Sequence, residues 1–332
     1  MYSMKKIAFI IPYFGRLPNY FPFWLKSIES NDSINFFLFT NDRRTFNFPQ
    51  NITVTYMSYD EFVKFVSSKF EFELALKSPY KLCDFKPAYG FIFSEYLRNF
   101  DFWGHCDIDL IFGNIRKFIS DDILNNYDKI QTLGHFELYR NTKRVNEHFK
   151  SNIPGFISYK EIFSSPALWA FDESTSPINQ ALWRDIKQFC NTSLFYDINY
   201  RFTNFKKNNA FTNTICYRDE CSLFEVDETA CKELLYVHFQ SRNVNCNYTL
   251  GKAIVLSPYG LHYSNQTREI CQKKYGKKNV LFNRNLLAIK KPLFVRLCQL
   301  YFLVLKKYPN AIFWMPSFLS KKQNWSRFNA KK

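Results

Sequence analysis

Three short apolar runs, each closing on polar residues, constrain this chain more than any other feature. The first is Ile7–Ile11 in "KKIAFIIPYFG", and Pro12 and Tyr13 follow it. The second, "INFFLFTND", stops at Thr40, Asn41 and Asp42, and the third is "NITVTYMS". After the first run, Tyr20, Trp24, Leu25 and Ile28 recur at helical spacing. "YDEFVKFVSSKF" and the stretch around "KPAYGFIFSEYLRNF" also read as helices. Continuous apolar strands alternating with helices predict parallel βα units, with both faces of the sheet covered. Ligands of such sheets bind at the carboxyl ends of the strands. The polar clusters at Pro12-Tyr13, at Thr40-Asn41-Asp42 and at the aspartate pair of "DFWGHCDIDLIFG" therefore mark the predicted site.

The second half is less regular. "IQTLGHFELYRNT" reads as a strand entering a loop, "SSPALWAFDESTSPINQAL" as a loop leading into a helix, and "ELLYVHFQSRN" as a strand carrying His238. The chain has 332 residues, enough for one large domain or two modest ones. Its net charge of +16 favours anionic partners such as phosphates, an acidic bilayer or nucleic acid. The nine cysteines are scattered without metal-site spacing, which fits free thiols in a reducing compartment. The start predicts no signal peptide, and no uncharged apolar run reaches the roughly 18 residues of a membrane span.

Asp107 and Asp109 stand one residue apart, just before Leu110, Ile111 and Phe112. On an extended strand, residues i and i+2 face the same way, so both carboxylates would meet one point where a strand ends. Such a pair suits a hard divalent cation that also takes oxygens from a diphosphate. The plainer alternative is a strand-end turn with solvated aspartates. A haloacid-dehalogenase-type phosphatase also uses Asp-x-Asp, but normally on the first strand of its domain and followed by Thr or Val.

"SPYKLCDFKPAYGFIFSEYL" followed by "FDFWGHCDIDLIFGNIRKFI" resembles the nucleotide-sugar-dependent glycosyltransferases of the GT-A fold. More narrowly, the chain resembles a group of bacterial polysaccharide-locus glycosyltransferases that often carry an uncharacterised-domain label. "IPYFG", "KLCDFKP", "GHCDIDLIFG", "GHFELYRNT", "FDE" and "VHFQSR" carry the resemblance in that order, from residue 7 to about 242. It implies an α/β, GT-A-like (Rossmann-like) fold: a mixed, mainly parallel sheet flanked by helices, with a C-terminal helical extension. A catalytic domain is expected over residues 1–285, with a donor half to about 125 and an acceptor half beyond it.

The resemblance also implies roles. Asp107 and Asp109 would hold Mn2+ or Mg2+ against the diphosphate of a UDP- or GDP-linked sugar. His238 matches a late histidine ligand of related enzymes, or is a core histidine on its strand. Lys81, Asp84 and Lys86 would lie beside the donor, the lysines neutralising phosphate and the aspartate bonding sugar hydroxyls or orienting a lysine; a solvated helix start is their alternative. Tyr13 and Asp42 would contact base and ribose. "GHFELYRNT" offers His135 and Glu137. Asp172 or Glu173 of "FDE" would deprotonate an acceptor hydroxyl, although a carboxylate at a helix start is favoured in any case. The late histidine suits retention and "FDE" suits inversion, so the stereochemical outcome stays open.

The stretch over 286–332 interleaves apolar residues with Lys and Arg, around an apolar centre at Leu293–Leu305. It reads as a helix lying on an anionic membrane surface or as a helix docked on the catalytic domain. The whole implies a cytoplasmic, peripheral enzyme whose saccharide acceptor is linked to a lipid diphosphate. Two other functions compete. A sugar-phosphate nucleotidyltransferase needs a glycine-rich phosphate loop, and "PYFGRLPNY" has one glycine. A basic nucleic-acid-binding protein needs a recognisable module, and no zinc knuckle, RNP-like strand or helix-turn-helix is seen. Nucleic acid is therefore not expected as a partner.

Overall fold

A computed structural model describes residues 4–198, 206–207, 210–211, 214–240, 244–248, 251–257 and 260–275. The tail expected over 286–332 lies outside the described residues. The α/β architecture predicted from the strand–helix alternation is present. In chain order the first nine strands are β1 (Ile7–Tyr13), β2 (Ile34–Thr40), β3 (Ile52–Tyr56), β4 (Phe102–Cys106), β5 (Leu110–Phe112), β6 (Lys129–Leu133), β7 (Phe136–Arg140), β8 (Gln188–Phe189) and β9 (Phe195–Asp197). Seven of them form one sheet in the order β3-β2-β1-β4-β7-β6-β8. The pairings from β3 to β4 are parallel, β7 runs antiparallel to both β4 and β6, and β8 is parallel to β6.

The unbroken apolar runs follow from packing on both faces of this sheet. Side chains alternate along a strand. Ile7, Phe9 and Ile11 of β1 enter one core, whereas Ala8 and Ile10 enter another. Helix α1 (Phe21–Glu29) covers the first face with Phe21, Trp24 and Ile28. Helix α2 (Tyr59–Ser67) covers the second with Phe62 and Val66. Its start is fixed by a reciprocal cap between Ser58 and Glu61, a device worth about 1 kcal/mol.

Two smaller sheets complete the described chain, beside a two-residue ladder at 206–211. In one, the Tyr236–His238 strand lies between β5, antiparallel, and β9, parallel. The other is six-stranded and includes Ile215–Asp219, Ser222–Val226 and Ala253–Ser257. Among the described residues, no helix is long and apolar enough to cross a membrane.

Several local expectations need correction. The helix read around residues 86–100 is a 3-10 stretch, Pro79–Ala88, followed by a single α-turn at Tyr89–Ile92. Pro87 inside it supplies no amide N–H, so a regular α-ladder cannot run through. "IQTLGHFELYRNT" is a hairpin of β6 and β7 turning at Gly134 and His135, not a strand entering a loop. "ELLYVHFQSRN" is two strands, Cys231–Leu234 and Tyr236–His238, and they belong to different sheets.

Candidate functional site

The aspartate pair sits where the chain changes sheets. β4 ends at Cys106, residues 107–109 form a bend, and β5 leaves to pair with the Tyr236–His238 strand. The expected geometry, two carboxylates on one face of an extended strand, is therefore replaced by a bend. Its main chain is held from both sides. Asp107 donates its N–H to His135 O (2.9 Å), and Asp109 O accepts from Phe239 N (3.2 Å). The pairing of β5 with Tyr236–His238 places His238 opposite Leu110. As a result, one ligand atom each from Asp107, Asp109 and His238 lies within 4.8 Å of the others.

Asp109 is buried, whereas the Asp107 side chain keeps 38% of its exposure, so the cluster opens to solvent on the Asp107 side. His238 lies between two carboxylates: Nε2 is 3.4 Å from Asp109 Oδ2, and Nδ1 is 3.0 Å from Asp197 Oδ1. Its ring stacks on His135, with centroids 4.1 Å apart. Burial alone would push the imidazole down, but hydrogen bonds and charge from Asp109 and Asp197 lift it to about 10.

The donor set is two carboxylates and one imidazole. Carboxylate oxygens suit Mg2+ and Mn2+, and imidazole adds affinity for the transition metal. Three protein ligands leave positions open on a six-coordinate ion. The residues therefore fit a divalent cation that shares its shell with water or phosphate oxygens.

Lys86 joins this cluster to the "FDE" loop. Its Nζ donates to Asp107 Oδ1 (2.9 Å) and Gly134 O (2.7 Å), and lies 3.2 Å from Asp172 Oδ2. Burial opposes its charge, but Asp107 and Asp172 outweigh burial and hold the amine well above its ordinary value. All three ammonium hydrogens are thus committed inside the protein. Asp172 is buried beneath Gly134, where an added Cβ would lie 3.0 Å from the Asp172 carboxyl, so a side chain there would press on Asp172. Burial, assisted by Glu173 and Asp84 and opposed by Lys86, pushes Asp172 up to about 8. Glu173 is exposed but ringed by protein. Loss of surrounding water raises its carboxyl, Lys86 opposes the rise, and Asp107 adds to it.

Lys81 and Asp84 are brought together one layer further back. Lys81 Nζ donates to Asp84 Oδ2 (2.8 Å), Ile162 O (2.9 Å) and Ala167 O (2.6 Å). Asp84 accepts the N–H groups of Trp169 (3.0 Å) and Phe171 (3.0 Å). The pair is buried and spent on the main chain that presents Asp172. Neither is the solvated helix start of the alternative reading.

Glu137 is fully buried on β7, apart from the opening. It lies 3.1 Å from Lys129 Nζ and 3.6 Å from His105 Nε2, and accepts the Tyr139 hydroxyl. Burial raises its carboxyl, but Lys129 and His105 overcome this and hold it at about 2.

At the ends of β1 and β2, Asp42 accepts from Leu17 N (2.8 Å) and Arg44 N (3.1 Å) and pairs with the Arg44 guanidinium, which holds its carboxyl well below the usual range. A shallow, open cleft here is lined by Gly15, Arg16, Asn41, Asp42, Arg43 and Arg44. Tyr13 is half-buried between this cleft and the aspartate pair. Burial raises its hydroxyl, and the charges of Asp109 and Asp42 add to the rise.

Sequence reasoning missed Asp197 and the arginines of the cleft. For Asp197 the signal was "SLFYDIN", another apolar run ending on an aspartate.

The chain belongs to a family of unknown function (DUF6625), whose model matches residues 9–264. No curated protein matches it. Among solved structures it is similar to the galactosyltransferase LgtC in complex with donor and acceptor sugar analogs, at 13% identity over 57% of this chain and 75% of that one, with a TM-score of 0.32. It is similar to an active-site mutant of LgtC at 11% identity, over 57% of this chain and 74% of that one, with a TM-score of 0.32. The glycosyltransferase GlyE of Streptococcus pneumoniae TIGR4 is 12% identical over 58% of this chain and 46% of that one, with a TM-score of 0.29.

Proposed function

We propose that the chain is a divalent-metal-dependent glycosyltransferase, moving a sugar from a nucleotide-sugar donor to a saccharide acceptor of a bacterial surface polysaccharide. The observation that carries this reading is the convergence of Asp107, Asp109 and His238 beyond the end of β4, open on one side. The motif order from "IPYFG" to "VHFQSR" supports it independently. A bound Mn2+ or Mg2+ would screen the charge that develops on a departing diphosphate.

In this reading the cleft beyond β1 and β2 takes the nucleoside, with Tyr13 between it and the aspartate pair. Lys86 fixes the Asp107 carboxylate while neutralising the repulsion between Asp107 and Asp172. Glu173 faces solvent with its carboxyl raised toward the working range of a general base, so it receives the acceptor proton. Asp172, beneath it, holds Lys86. The charge of +16 and the basic tail fit an acceptor carried on a lipid diphosphate at an anionic, cytoplasmic membrane surface.

A panel of UDP- and GDP-sugars incubated with the chain and Mn2+ tests the reading. One donor should release nucleoside diphosphate, and EDTA should stop the release. Release from no donor, or release indifferent to EDTA, would refute it.

A further inference from the structure

We infer that Asp197 is a positioning residue for His238, forming a carboxylate–histidine pair that aims the ring's Nε2 at the cation shared with Asp107 and Asp109. The inference rests on the metal reading above and adds a residue to it.

A neutral imidazole carries one proton, and its two nitrogens point in diverging directions. Whichever nitrogen donates a hydrogen bond leaves the other as the metal ligand. Asp197 Oδ1 lies 3.0 Å from Nδ1, a full hydrogen bond, whereas Asp109 Oδ2 lies 3.4 Å from Nε2. Nδ1 is therefore the nitrogen with a fixed partner. Nε2 faces Asp109, and Asp109 lies in one cluster with Asp107.

The carboxylate is itself held in place. β9 runs parallel to the Tyr236–His238 strand with Asp197 in register with His238, and Ile198 N donates to His238 O (2.8 Å). Gln240 Nε2 donates to the same Asp197 oxygen (2.7 Å). His135 stacks on the ring, with 24° between the planes, and so restricts its rotation. His135 Nε2 is engaged with the Tyr236 hydroxyl at 2.9 Å, so the stacked ring is anchored too. Asp197 approaches the nitrogen that points away from Asp109, so it orients the ligand without joining it. Metal-binding histidines commonly carry such a partner, and losing it costs about 10–100-fold in metal affinity.

The test is a Mn2+ titration of the full chain, followed by the EPR signal of free Mn2+, with thermal unfolding measured in Mn2+-free buffer. Asp197→Asn should bind Mn2+ about 10–100-fold more weakly than wild type, while still unfolding in one cooperative transition. Asp197→Glu, which keeps a carboxylate near Nδ1, should recover part of the loss. Wild-type affinity in Asp197→Asn would overturn the inference and leave the metal reading standing. Wild-type protein that does not bind Mn2+ would overturn both. A measurement free of variants covers the case in which Asp197→Asn does not fold. In 15N-histidine-labelled wild type loaded with diamagnetic Zn2+, His238 should carry its proton on Nδ1. A proton on Nε2 would overturn the inference.

Discussion

At the end of β4, Asp107, Asp109 and His238 gather around an opening. Two residues before Asp107 on the same chain segment, His105 meets Glu137, Lys129 and Tyr139 in a cluster with no exposure to speak of. Both groups mix carboxylate with cationic partners, and both lie on neighbouring strands. They differ in how the negative charge is answered. The Glu137 carboxylate has a lysine 3.1 Å away, sealed in with it, so the cluster is neutral without a ligand. The open group has one lysine shared between Asp107 and Asp172, and Asp109 faces His238 instead. The protein's own cations do not saturate this group. The contrast teaches that residue type does not decide which carboxylates can serve a ligand; closure and local charge balance do.

The largest effect that would sharpen the comparison is on catalysis. Asp109→Asn and Asp107→Asn should each lower nucleoside diphosphate release by about a thousandfold, ~4 kcal/mol, in protein that still folds, although each variant gives up some stability by removing a counter-charge from His238 or Lys86. Wild-type turnover in either variant would place the two groups on the same footing.

The closed cluster should behave in the opposite way. Glu137→Gln leaves Lys129 buried without its counter-charge and should cost about 3–5 kcal/mol of stability, read by denaturant unfolding. The protein that remains folded should keep most of its turnover. Unchanged stability with abolished turnover would make Glu137 a catalytic group and break the comparison.

A third variant tests the layer behind the open group. Asp84→Asn weakens the anchor of Trp169 N and Phe171 N and leaves Lys81 with a poorer partner. We expect about 1–3 kcal/mol of lost stability and a smaller, roughly tenfold, loss of turnover through displacement of Asp172. A loss as large as that of Asp109→Asn would mean that Asp84 touches the substrate.

The smallest effect is the pH response of the metal-free chain. Glu137 is held at about 2 in the fold against an ordinary 4.5, so its contribution is present above 4.5 and fades as pH falls through 2. His238 is lifted to about 10 from 6.5, so its contribution is full below 6.5 and is lost as pH rises through 10. Glu137→Gln should therefore flatten mainly the acid limb of the unfolding midpoint against pH, and His238→Ala mainly the alkaline limb, each with a smaller change on the other limb through the partner it releases, Lys129 or Asp197. Either variant altering both limbs equally would show that the two groups are not independent.

Much of this arrangement is legible in the sequence because its causes are local. β1 and β2 feed both cores, so their apolar runs are nearly continuous, whereas β3, at the sheet edge, alternates Ile52 and Val54 with threonines. The spacing of Asp107 and Asp109 drew attention even though the bend that unites them with His238 depends on two other segments. Lys81 and Asp84 were legible as a pair, but not their duty. In a 3-10 stretch, residues three apart eclipse, which closes the pair on itself against a loop more than 80 residues away. Asp197 was not legible because only the β9 ladder brings it to His238, 41 residues distant. Glu137 and Asp107 look alike in sequence; what separates them is burial behind Tyr139 and Lys129.

The most direct test of the open group is anomalous diffraction at the manganese edge, from crystals grown with Mn2+ and a nucleoside diphosphate. The account predicts a single strong peak bounded by Asp107, Asp109 and His238 Nε2, with phosphate oxygens on its solvent side. A peak elsewhere, or an occupied nucleotide with no manganese between these three side chains, would contradict it.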